Sequence, residues 1–332
     1  KGGKFYGGLT NRVALTTAGT YVRLYAVDGP AETFIVGHGD EASAHAYKYG
    51  DAAVRCFATC TSCANVSGFT LADGRVTLNN GSETTGADGL YGGAVWGASN
   101  IADFQITDCV ITNCAASRGA VAWRGVLKRC HVIDCTSTWL GALRGGVHAS
   151  ACVFRNVTSP RRSDDLIAGQ DAVVYNCDLL DSPGIAVFGN NATTELRNSL
   201  VYGFDEIKDR PSTTLEGLFY DACAAVADSA LKREGLTYAK MAFADKEAGD
   251  YALYSSTRPV TGGSVRAAGA DFWRYGSAID FEGRPFVFSA DGSMTAGAVQ
   301  RTTPSVSVVV WIEFFGVITS GFDTTPVGIF FF

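Results

Sequence analysis

One short phrase returns four times in the middle of this chain with a cysteine at its centre: TDCVITN around Cys109, KRCHVID around Cys130, SACVFRN around Cys152 and YNCDLLD around Cys177. From each of these cysteines to the next the numbering advances by 21, then 22, then 25. LRNSLVYG puts Asn198 at the next cysteine position, and VSGFTLADG puts Phe69 at an earlier one, before a longer gap that ends at Cys109. Between copies lies a second phrase, GGAVW at 92–96, GAVAW at 119–123, GALRG at 141–145 and GIAVF at 184–188. A period of roughly 20–25 residues marks a solenoid, in which each repeat buries its apolar edge on its neighbours. These phrases are rich in Val, Thr, Cys, Asn and Gly and lack the Ala/Leu/Glu/Lys runs of helices, so the repeat is built from strands.

Side-chain roles follow from a two-residue strand period. Cys109 and Ile111, Cys130 and Val132, Cys152 and Phe154, and Cys177 and Leu179 stand two apart and face the core together. Asn113, Asp134, Asn156 and Asp181 share the position where the chain must turn, and such residues accept left-handed geometry while hydrogen-bonding their own turn. Phe69, Cys109, Cys130, Cys152, Cys177 and Asn198 are thus expected to form one inward structural ladder. Neighbours in register stand about 4.8 Å apart with parallel side chains, which suits stacked reduced thiols better than disulfides. Cys114 with Cys135, and Cys56, Cys60 and Cys63, are better placed for oxidation. Cys60 and Cys63 form a CxxC, but no second CxxC or histidine pair completes a zinc site, and no metal or cofactor is expected.

Composition bounds the function. Thirty-nine glycines against two methionines, in 332 residues, fit many tight turns and few helices. The net charge of −6, with basic residues adjacent only in the isolated pairs Lys128-Arg129, Arg161-Arg162 and Lys232-Arg233, argues against a nucleic-acid partner. The longest apolar runs, Ala222 to Ala227 and Val308 to Ile312, are far short of the ~18 residues of a spanning helix, so no transmembrane helix is expected. A chain opening on KGGKFYGG, without methionine or a signal-type stretch, fits a processed, exported product.

The alternation of the cysteine phrase with GGAV-type phrases, introduced by NRVALTT, YVRLYAVDGPAETFIVG and VSGFTLADG, resembles the right-handed parallel β-helix repeat proteins of bacterial surfaces. That group includes the pectate-lyase-like superfamily and the polymorphic outer-membrane proteins. The resemblance covers about residues 10–204 and, more weakly, GDYALYSSTRPV (249–260) and AIDFEGRPF (278–286), which look like the segment that closes many such helices. It implies an all-β, right-handed parallel β-helix with a C-terminal capping region and a strand tail. Residues 1–204 would form the helix, 205–301 the cap and 302–332 the tail. Between Asp205 and Leu236 the repeat lapses, and LEGLFYDACAAVADSALKREGL has apolar spacing suited to a short helix or a loop.

Three functional readings compete. The tail carries only Glu313 and Asp323 as charges, and its strand-forming residues, among them Val306, Val308, Val310, Ile312, Phe314, Phe330 and Phe332, suit pairing with a neighbouring subunit. This gives a non-enzymatic extracellular or bacterial cell-surface protein, self-assembling or adhesive, whose main partner is a copy of itself. As an enzyme it would be a polysaccharide lyase or glycoside hydrolase on an acidic glycan, with Arg161, Arg162, Asp164 and Asp165 as the patch holding the right ingredients. As a carbohydrate-binding module it would stack surface glycans on Trp96, Trp123 and Trp139. His131 and His148 share no repeat position, which argues against a joint catalytic role.

Overall fold

The computed structural model describes residues 3–6, 13–15, 22–37, 57–59, 64–76, 91–97, 104–159, 171–182, 194–207, 213–216, 218–221, 237–238, 243–245, 250–253, 276–286 and 297–299. Every regular element among them is a strand. Four sheets are wholly parallel, with ten, eight, five and three strands, and the chain visits them in rotation. The stretch around Cys109 shows the circuit. Phe104–Thr107 lies in the eight-stranded sheet, Val110–Thr112 in the ten-stranded, Ala115–Arg118 in the three-stranded and Ala122–Trp123 in the five-stranded sheet. Val126–Lys128 then returns to the eight-stranded sheet, where Val126 pairs with Gln105 of the preceding repeat.

Register keeps the repeat. In the ten-stranded sheet Val110 pairs with His131, His131 with Val153, Val153 with Asp178 and Asp178 with Leu200. Because side chains alternate faces, a one-residue slip would turn each core residue outward, so burial pins this pairing. The inward columns are Val66, Ile106, Leu127, Ala149, Val174, Leu196 and Leu215 on the eight-stranded sheet, and Leu71, Ile111, Val132, Phe154, Leu179 and Val201 on the ten-stranded sheet. All belong to one continuous apolar cluster. Each such large side chain stabilises the fold by about 1.5–3 kcal/mol through burial. The GGAV-type phrases line the opposite wall, where Ala94, Val121 and Ala142 are fully buried. At Gly93 a Cβ would meet the Ala120 and Ala115 carbonyl oxygens at 2.6 and 2.7 Å, so only glycine lets the walls approach so closely.

Each strand of the ten-stranded sheet from Thr70–Ala72 to Leu200–Tyr202 is bracketed by left-handed residues. Before it stand Gly68, Asp108, Arg129, Ala151, Asn176 and Asn198; after it stand Asp73, Asn113, Asp134, Asn156, Asp181 and Gly203. From Asp73 to Asp181 the second column alternates carboxylate and amide, and Asn113 Nδ2 donates to Asp73 Oδ1 at 2.7 Å as Asn156 Nδ2 does to Asp134 Oδ1 at 2.5 Å. An amide between carboxylates relieves like-charge stacking and bonds successive repeats. In the first column Ala151, at φ 53°, lacks any local hydrogen bond from its side chain to favour left-handed geometry. Ala151→Gly is expected to raise stability by about 0.5–1 kcal/mol, read as a higher denaturant midpoint; a lower one would show that strain at this corner is negligible.

Parallel pairing does not stop at Phe204. Thr213–Glu216 pairs with Thr194–Arg197, Phe219–Asp221 with Leu200–Tyr202, and Thr237–Tyr238 with Phe219–Asp221. The step from Leu200 to its partner Phe219 is shorter than any earlier step in this sheet, which breaks the visible period while Leu215 and Tyr220 keep the inward columns. The described part of the stretch read as a short helix or loop is therefore strand. Phe243–Asp245 and Asp250–Leu253 form a separate antiparallel pair.

Candidate functional site

The cysteine columns carry the most chemically suggestive groups, and their geometry makes them turn caps. Cys109, Cys130, Cys152 and Cys177 each follow a left-handed residue, and each thiol donates to the carbonyl two residues earlier, on Thr107, Lys128, Ser150 and Tyr175, at 3.2–3.5 Å. The Cys130 N–H in turn donates to Cys152 Sγ on the next repeat at 3.4 Å. Ser199, not Asn198, continues this ladder, because Asp178 pairs with Leu200 and so places Ser199 opposite Cys177. Ser199 Oγ accepts from the Cys177 N–H at 3.1 Å and donates to the Arg197 carbonyl at 2.8 Å, as a thiol would. Asn198 belongs to the left-handed column one residue earlier.

Cys114 and Cys135 form a second column on the far side of the same strands, with thiols on the Thr112 and Ile133 carbonyls at 3.3 and 3.4 Å. Ser182 occupies the equivalent corner after Leu180, accepting from the Val157 N–H at 3.0 Å. Sequence placement suits Cys114 and Cys135 to oxidation better than the ladder cysteines. Both are free and buried, as are the four ladder thiols; Cys56, Cys60 and Cys63 lie outside the described residues. Burial pushes Cys109, Cys130 and Cys152 well above the ordinary thiol value of 9.0. For Cys135 the hydrogen bond with Cys114 acts first and burial second, in the same direction. Thiols held neutral in a dry core are poor nucleophiles and poor metal ligands. Among the described residues no group of three His, Cys, Asp or Glu side chains is placed to hold a metal.

An aromatic corner stands where the five- and three-stranded sheets meet. Trp96 and Trp123 pair directly. Tyr91 stacks on Trp123 with ring centroids 4.0 Å apart and planes at 21°, and the Arg118 guanidinium lies 5.4 Å above the Tyr91 ring while its Nη1 donates to Tyr91 Oη at 2.8 Å. Trp96 is 6% exposed and Tyr91 8%, so both rings are consumed by packing, while Trp123 is half-buried. Trp139 lies on the neighbouring strand Thr136–Leu140. Tyr91 and Arg118 were not singled out from the sequence, although a signal exists: each stands five positions before its tryptophan.

A C-terminal strap crosses the outer face of the ten-stranded sheet. Arg129 holds Asp108 through two contacts of 2.7 and 2.9 Å and donates to Ser277 Oγ at 3.0 Å; the Ser277 N–H donates to Ser150 Oγ at 2.9 Å. Phe281 meets the His131 ring edge-on at 6.0 Å, and burial, then the Arg155 charge, lowers the His131 pKa. The Ala298 N–H donates to the buried Asp178 Oδ1 at 2.8 Å, and the Gly297 N–H to the Asn198 carbonyl at 2.6 Å. A Cβ on Gly297 would stand 2.5 Å from Asp178 Oδ1, so the approach requires glycine. The described residues 276–286 and 297–299, read from the sequence as part of an end cap, lie instead along the flank.

The remaining candidates separate. His131 lies in the ten-stranded sheet and His148 in the eight-stranded sheet. On the outer face of the latter, Glu195 Oε2 accepts from Tyr175 Oη at 2.7 Å and from Arg197 Nε at 3.1 Å, so its charge is already matched. Arg161, Arg162, Asp164 and Asp165, and the tail residues Val306, Val308, Val310, Ile312, Phe314, Phe330 and Phe332, lie outside the described residues. No family model matches the chain, and no curated protein matches it. The described residues define a class by their own architecture, an all-β protein of long parallel sheets around a shared main apolar cluster.

Proposed function

We propose that the chain is a right-handed parallel β-helix that serves as a non-enzymatic structural protein of a cell surface or extracellular space, assembling with copies of itself through its apolar tail. Handedness follows from the strong preference of parallel crossover connections for the right-handed sense. The observation that carries the reading is the shape of the core. One apolar cluster runs through successive repeats from Ile35 to Leu218, with the partly buried Leu24, Ala26 and Tyr220 packed against it. A core that grows by addition suits a body that extends repeat by repeat, and the sequence of residues 304–332 is rich in strand-favouring residues and nearly uncharged.

The test compares full-length protein with a variant ending at residue 303, by sedimentation velocity and electron microscopy. Full-length chains are expected in filaments or oligomers and the truncated chain as a monomer. Two monomers would overturn self-assembly.

A further inference from the structure

The strap is held to the outer face of the ten-stranded sheet largely by polar groups, and a histidine stands at its middle. Along that face Val110, His131, Val153, Asp178 and Leu200 follow one another in register, one per repeat. At one end of the strap Ser277 accepts from Arg129 at 3.0 Å and donates through its N–H to Ser150 at 2.9 Å. At the other end the N–H groups of Gly297 and Ala298 reach the Asn198 carbonyl and the Asp178 carboxylate at 2.6 and 2.8 Å. Between these anchors the Phe281 ring lies edge-on to the half-buried His131, and the Phe281 N–H donates to the Ala298 carbonyl at 2.8 Å, which joins the two described pieces of the strap. The main apolar cluster is drawn from residues between Leu24 and Tyr220 and contains none of the strap. Lifting the strap would therefore leave that core intact, and it would return to water a carboxylate that is now 2% exposed at Asp178, so regained hydration offsets part of the lost contact. A segment held in this way opens at lower free energy than the strands beneath it.

We propose that the strap is a pH-sensitive latch, closed over His131 while the imidazole is neutral and released when the imidazole takes up a proton. The groups around the ring favour that sense. On the strap, Phe281 is flanked by Asp280, whose carboxylate accepts from the Arg284 N–H at 2.7 Å and Arg284 Nε at 3.0 Å, and by Glu282, which meets Arg284 Nη2 at 2.7 Å. Before the histidine on its own strand, Arg129 holds Asp108 of the preceding repeat; after it, Asp134 accepts from Asn156. The following repeat contributes Val153 beside the ring and Arg155. The carboxylates nearby in the chain are thus each engaged by another donor, whereas an imidazolium under Phe281 would be both desolvated and repelled by Arg155. Burial first and the Arg155 charge second lower the His131 pKa from its ordinary 6.5. Once the strap is released, the exposed ring titrates near 6.5 again. Below that pH the released form binds a proton that the closed form resists, so closure is at full strength above pH 6.5 and weakens as pH falls through 6.5 towards the lower value of the closed form.

Hydrogen exchange of the full chain, read by mass spectrometry at pH 7.5 and pH 5.5 and corrected for the intrinsic pH dependence of exchange, tests the latch. Peptides covering 276–286 and 297–299 are expected to open several-fold more readily at pH 5.5, while peptides from the eight-stranded sheet keep their protection. His131→Gln removes the titrating group at an outward-facing position and should abolish the difference. Phe281→Ala should leave the strap open at both pH values, with the sheet still protected. Equal strap protection of the wild type at the two pH values would overturn the latch. So would a pH dependence that survives in His131→Gln, since carboxylates such as Asp178 would then be its source. Strap and sheet opening together would show that the strap is an integral part of the fold, and full protection of the strap in Phe281→Ala would show that the contact with His131 does not hold it.

Discussion

Between pH 8 and pH 10 the protein is expected to lose about 5 kcal/mol of stability through four of its buried thiols alone. In the unfolded chain a cysteine titrates near 9.0, whereas in the fold Cys109, Cys130, Cys135 and Cys152 are all pushed well above that value. The sign follows from proton counts. Below pH 9 both states hold the proton and the thiols leave stability unchanged with pH. Above it the unfolded state sheds protons that the folded state keeps, so stability falls as pH rises through the unfolded value towards the folded one. Each thiol then contributes a loss of about 1–2 kcal/mol by pH 10. Denaturant midpoints at the two pH values measure the total, and Cys130→Ser with Cys152→Ser should remove about half of it. The serines should be accepted, since Ser199 and Ser182 already make the same two hydrogen bonds at these corners. An alkaline loss of the same size in the double variant would show that other groups titrate. The six free thiols among the described residues are also expected to resist alkylation in the native protein at pH 8 and to react on unfolding, because burial denies the reagent access.

The repeat was legible in the sequence because two requirements recur at fixed positions. An inward small or apolar group is needed beside each turn, and a residue tolerant of left-handed geometry is needed at the turn itself; Cys109/Asn113, Cys130/Asp134, Cys152/Asn156 and Cys177/Asp181 satisfy both. Reading became inexact where two residues could each satisfy the requirement. In LRNSLVYG the asparagine looks like the ladder residue, yet backbone pairing gives that place to Ser199 and makes Asn198 the turn, as Asn176 is one repeat earlier. A cysteine and a serine are equivalent here because each has a short side chain that donates to the carbonyl two residues earlier and accepts from an N–H of the preceding repeat. The strap was not legible as a contact. Ser277 and Ser150, or Ala298 and Asp178, lie 127 and 120 residues apart and share no repeat position, so only the folded chain brings them together. The aromatic corner was half legible. Trp96 and Trp123 repeat as letters, whereas Tyr91 and Arg118 occupy one position with different chemistry and meet only because adjacent repeats stack.

Phe154→Ala is expected to cost about 3–5 kcal/mol, and the more informative quantity is how that cost changes when Ala149 is enlarged. Each repeat places one inward residue on the eight-stranded sheet and, five positions later, another on the ten-stranded sheet: Ile106 and Ile111, Leu127 and Val132, Ala149 and Phe154, Val174 and Leu179, Leu196 and Val201. The smallest member of one column shares its repeat with the largest member of the other, and both are buried, Phe154 at 0% and Ala149 at 1% exposure. Close packing at each level of the core constrains the sum of the two volumes more than either alone. Truncating Phe154 therefore opens a cavity that Ala149 cannot fill. Ala149→Leu alone overpacks the level and should cost about 1–3 kcal/mol. Together the two substitutions approach the Leu-with-Val pairing of the neighbouring repeats, and the double variant should be more stable than the sum of the single losses by about 0.5–3 kcal/mol. Denaturant unfolding of the four proteins closes the cycle. Strict additivity would mean that the two walls do not share one packed level, and the size matching of Ala149 with Phe154 would then be coincidence.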